Sequence, residues 1–148
     1  MSIKTGIVVC GMMCCLVAVV AFSAGYSRAE NQKEAPRLYE LRTYTTEPGR
    51  LQALNARFKN HTMRLFEKHG MQNVMYWIPT DEKLKDNTLI YVISHASAEA
   101  AKKSWADFIA DPEWKKVAAE SEKDGKILAR RPDSVYMTLT DYSPAEKK

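Results

Sequence analysis

Hydrophobic and polar positions along this chain fall into two rhythms, one of period two and one of three to four, punctuated by turn residues. The alternating stretch 38–44 (LYELRTY), rich in β-formers, predicts a first strand. Tyr39, Leu41 and Thr43 share one face of it, and Leu38, Glu40, Arg42 and Tyr44 the other. Glu47-Pro48-Gly49 is a turn that opens a helix. From Arg50 to His69, Leu51, Leu54, Phe58, Leu65 and Phe66 follow helical spacing, and Gly70 closes the segment. Residues 73–78 (NVMYWI) predict a second strand stopped by Pro79, residues 80–87 a charged hairpin loop, and 88–94 (TLIYVIS) a third strand. Ser97 is an apt N-cap for a helix with Glu99 in its first turn and Ala98, Ala101, Trp105, Phe108 and Ile109 on one face. Asp111-Pro112 restarts a helix that carries Trp114, Val117 and Ala118 as far as Asp124-Gly125. After Arg130-Arg131-Pro132, residues 134–140 (SVYMTLT) predict a fourth strand.

The order β-α-β-β-α-β is the ferredoxin-like arrangement, so an α+β domain is expected over 38–142. With both helices on one face of the sheet, its other face needs cover. Strands three and four carry bulky residues on both faces: Leu89, Tyr91 and Ile93 against Ile90 and Val92, and Val135, Met137 and Leu139 against Tyr136. An apolar sheet face left bare marks an interface, and a homodimer through that face is expected.

Composition changes the picture only at the N-terminus. Residues 7–24 carry no charge, Lys4 precedes them, and Ser27-Arg28-Ala29 places small residues before Glu30. That layout predicts a signal peptide over 1–29, a lead-in without regular structure over 30–37, and export to the periplasm or outside the cell. An uncleaved membrane anchor is the competing reading, since eighteen apolar residues lie at the edge of what spans a bilayer. Cys10, Cys14 and Cys15 all fall inside the leader, so cleavage leaves no thiol for a disulfide, a nucleophile or a metal. Loss of Lys4 and Arg28 lowers the formal charge from +4 to +2, no footprint for nucleic acid. The end of the chain, 143–148, is a polar tail.

Specific residues also resemble a known family. Tyr39-Glu40-Leu41-Arg42-Thr43-Tyr44 followed by Pro48-Gly49 resembles the opening of NIPSNAP-domain proteins. So do Phe66-Glu67-Lys68-His69-Gly70-Met71 and the run from Ser104-Trp105 through Phe108 to Asp111-Pro112-Glu113-Trp114. The resemblance implies a dimeric α+β barrel in which two four-stranded sheets close on each other. It implies little chemistry: relatives on that barrel include oxygenases, isomerases, dehalogenases and haem-binding enzymes.

Several residues are candidates for chemistry. His61 lies on the stripe 51, 54, 58, 61, 65 and 69, so it is expected to face the sheet as a general base, a haem ligand or an anchor for a substrate oxygen; otherwise it is a core-edge histidine bonded to a carbonyl. His69, next to the helix-ending glycine, is a ligand contact or a stabilising cap. The two histidines are ~12 Å apart along the axis, too far to share a metal, and no ligand spacing for one occurs. Glu40 and Arg42 share a strand face; lining the barrel, they would form an ion-pair cluster or hold a carboxylate or carbonyl. Tyr76, Trp77 and Trp105 are expected to line the junction of sheet and helices, as core or as a pocket for an apolar or aromatic molecule. Three functions follow: a binder of such a molecule without cofactor, an oxygenase or isomerase that works with no cofactor or with haem and uses His61, and an interaction module with a packed barrel.

Overall fold

The computed structural model describes residues 36–144. The expected leader at 1–29, most of the expected lead-in at 30–37 and the end of the 143–148 tail lie outside them. Strand β1 (Leu38–Thr45) is followed by one long helical segment, consisting of α1 (Leu51–Arg57), a π-helical turn (Phe58–Thr62) and α2 (Met63–Lys68). Then come β2 (Gln72–Trp77), β3 (Thr88–His95), α3 (Ala98–Ala110), α4 (Pro112–Ser121) and β4 (Asp133–Met137). The strands form one antiparallel sheet in the order β2-β3-β1-β4, which is the expected α+β, ferredoxin-like topology.

The local signals act as their chemistry dictates. Gly49 turns into α1 at φ 75°, a backbone setting that side chains resist. At the end of α2, Gly70 at φ 78° lets Gly70 N–H reach the Glu67 carbonyl and Met71 N–H reach that of Phe66, so the last turn is sealed and Met71 is pulled into the core. Ser97 accepts the Ala100 N–H at 3.1 Å, and Asp111 accepts that of Glu113 at 2.7 Å with Pro112 in the first turn.

Two expectations are corrected. The helix from 50 to 69 is not uniformly wound: within the π turn Met63 N–H bonds to the Phe58 carbonyl, five residues back. That extra residue rotates everything after it, so Thr62 rather than His61 occupies the buried stripe. The fourth strand ends at Met137 instead of 140, because Met137 already pairs with Tyr39 near the start of β1 and, among the described residues, no partner strand continues beyond.

The helices cover one face of the sheet. Tyr91 lies fully buried at its centre, with Tyr76 stacked on it at 5.2 Å and with Phe58, Phe66 and Tyr44 around it. Ile127, also fully buried, ties the segment returning to β4 against Glu47. The opposite face carries the row Met75–Val92–Leu41–Val135, one residue per strand in register. Met75 and Val135 are more than half exposed there, and Trp77 nearly half. The fourth helix, α4, packs chiefly on α1 and α3 rather than on the sheet. It has no buried residue, and the space beneath it stays open.

Candidate functional site

That space is a cavity of about 670 Å³ between β1, β4 and the helices. At its sheet wall stands Glu40, 1% exposed, whose carboxylate receives four hydrogen bonds. Arg42 Nη1 and Ser134 Oγ donate to Oε1 at 2.7 and 2.6 Å; Trp105 Nε1 and His95 Nε2 donate to Oε2 at 2.7 and 3.0 Å. A carboxylate only accepts, so the proton between Glu40 and His95 belongs to Nε2 of the ring. Burial raises the Glu40 pKa, but the bonds from His95, Ser134, Trp105 and Arg42 outweigh it and hold the group at about 2. A carboxylate that is ionised and saturated in this way is a poor general base; its role is to fix its donors. The Arg42 guanidinium lies over the Trp105 ring at 4.3 Å, so the arginine, the indole and the acid form one rigid unit.

The helical walls supply rings and a second cation. Phe66, Phe108 and Trp114 line the cavity, with Phe108 and Trp114 at 4.4 Å between centroids. Arg57, at the last position of α1, points into the same wall with its side chain 5% exposed, and burial lowers its pKa. Thr62 Oγ1 donates to the Arg57 carbonyl at 3.2 Å, so the π turn pins the backbone that presents this arginine.

Of the residues singled out in the sequence, Glu40, Arg42 and Trp105 meet in the cavity. The first two share a face as expected, but it is the helix-covered face; they do not line the bare one, where a second copy would meet them. Alternation shows which residues share a face, not which face is covered. His61 is exposed beside a separate groove of about 530 Å³ between α1 and α4, turned off the sheet side by the π turn, and the premise of its expected role falls with that. His69 bonds Asp111 Oδ2 at 2.7 Å, beside Lys68 at 2.8 Å, tying the end of α2 to the start of α4. Lys68 and His69 together hold the Asp111 carboxyl well below its ordinary range. Tyr76 belongs to the core and Trp77 to the open face. His95 lies one residue past the 88–94 stretch that the sequence marks as a strand; continuing the alternation of Tyr91 and Ile93 by one step places it on the helix side.

The NIPSNAP family profile matches residues 39–144. The chain belongs to the NIPSNAP family. Solved structures share its fold: a NIPSNAP family protein of unknown function from Agrobacterium tumefaciens is 20% identical, with 74% of this chain and 93% of that one covered and a TM-score of 0.60. An uncharacterized NIPSNAP-like domain protein from Burkholderia xenovorans is 16% identical, with coverage of 73% and 89% and a TM-score of 0.61. A monooxygenase from Streptomyces coelicolor, solved with the ligand nanaomycin D, is 15% identical, with coverage of 73% and 91% and a TM-score of 0.52. At these identities the likeness is one of fold. No curated protein matches this NIPSNAP chain.

Proposed function

We propose that this chain is an exported homodimer that binds a small, flat aromatic molecule in the cavity beneath α4. The carrying observation is the cavity itself: about 670 Å³ walled by Phe66, Trp105, Phe108 and Trp114, with its one deeply buried acid already committed to four donors. That volume falls within the ~300–1,000 Å³ of small-molecule pockets. The four rings pack on one another at 4.4 to 5.7 Å between centroids, so a ligand ring would lie against the side they turn to the cavity. The neutral probe 1-naphthamide should raise the melting temperature in a concentration-dependent way, and Trp105→Ala should abolish the gain. A melting temperature indifferent at all attainable concentrations both to this probe and to its carboxylate, 1-naphthoate, would rule this reading out.

The partner in the dimer is a second copy, seated on the row Met75–Val92–Leu41–Val135. Exposed apolar side chains grouped on a sheet face, here Met75, Val135 and Trp77, mark an interaction surface. Export rests on the uncharged run at 7–24 and the small residues before Glu30. Turnover is the second reading, supported by the shared fold with a monooxygenase. It requires groups other than His61, which lies outside the cavity, and it prevails if the protein alone consumes oxygen in the presence of a bound aromatic.

A further inference from the structure

We infer that the occupant of this cavity is a monoanion, an aromatic carboxylate, enolate or phenolate, and that Arg57 receives its charged oxygen; this rests on reading the cavity as an aromatic site. The charged side chains that line the space are Glu40, Arg42, Arg57, Glu122 and Arg131, three cations against two anions. Glu40 is saturated, and its ion pair is with Arg42. Arg57 is left with Glu122, whose Oε1 stands 3.7 Å from Nη1 on a side chain 40% exposed. Among the described residues its one hydrogen bond runs from Nη1 to Ser121 Oγ at 3.3 Å, and its Nε is buried without an acceptor; Arg42 Nε is buried without one too, but the Arg42 charge is met by the buried Glu40 carboxylate at 2.7 Å. A guanidinium carries five N–H donors, and a buried one left short of acceptors is unfavourable. The guanidinium stands over the Trp114 ring at 5.3 Å, with Phe108 also against that indole at 4.4 Å, so a ligand ring lying beside these rings in the cavity has its attached oxyanion within reach of Arg57. The fork of two parallel N–H groups matches a planar carboxylate or an enolate oxygen. Arg131, exposed on the cavity wall, adds a positive potential on the path of entry.

The experiment compares 1-naphthoate with its neutral isostere 1-naphthamide by titration calorimetry on the whole domain. The wild type should bind the anion about ten-fold more tightly or better, the effect of one charge-assisted hydrogen bond. In Arg57→Gln the ratio should fall towards one, with affinity for the amide little changed. A second readout needs no variant: in the wild type, naphthoate and not naphthamide should shift the Arg57 Nε–H resonance. Equal affinity for the two probes, a ratio retained in Arg57→Gln, or a shift confined to Arg42 would overturn the inference while leaving the aromatic site intact. If neither probe binds, the aromatic site falls and the inference with it.

Discussion

Replacing Glu40 by glutamine preserves the shape of the side chain and removes the charge on which four donors converge. The Glu40 carboxyl sits at about 2 against an ordinary 4.5. At about 1.4 kcal/mol per unit, that difference is ~3 kcal/mol of folding free energy. Glutamine adds to the loss, because its single acceptor oxygen serves fewer donors and its amide nitrogen faces N–H and O–H groups. Breaking one side of a buried pair costs about 3–5 kcal/mol on independent grounds, so Glu40→Gln should be destabilised by that amount at pH 7. Guanidinium unfolding at fixed protein concentration reads this as a lower midpoint with an unchanged slope. The pH dependence follows in sign. The folded-state pKa is depressed, so the contribution is complete above 4.5 and is lost as pH falls towards about 2. Wild type and variant should therefore converge in acid. A loss below ~1 kcal/mol at pH 7, or two parallel pH curves, would refute the reasoning.

Other outcomes follow from the same structure. Thr62→Ala removes the bond to the Arg57 carbonyl and should cost about 1 kcal/mol in chemical denaturation, whereas no change would mean that the backbone alone holds the π turn. Leu41→Lys sets a charge in the middle of the bare row and should give a monomer by sedimentation velocity; a persistent dimer would place the interface elsewhere. Exported protein should begin at Glu30 by N-terminal sequencing, and a retained Met1 would favour the anchor.

Element order and caps were legible because they rest on local chemistry: Ser97, Asp111-Pro112 and Gly70 each act within a few residues of their own position. Alternation in β1 correctly joined Glu40 to Arg42. The site was legible only in part, since its assembly depends on non-local facts. A π turn is invisible to a periodicity of 3.6 residues, and one inserted residue was enough to exchange His61 for Thr62. Ser134 and His95 reach Glu40 only once β4 and β3 flank β1, a pairing that topology sets and spacing does not. Arg57 carries no such signal, because a basic residue on a helix is usually solvated.

Crystals of the mature chain soaked with 1-naphthoate test the site most directly. The ring is expected beneath α4 against Trp105 and Trp114, with its carboxylate at Arg57. A cavity closed by its own side chains, or the ligand seated in the outer groove beside His61, would contradict the assignment.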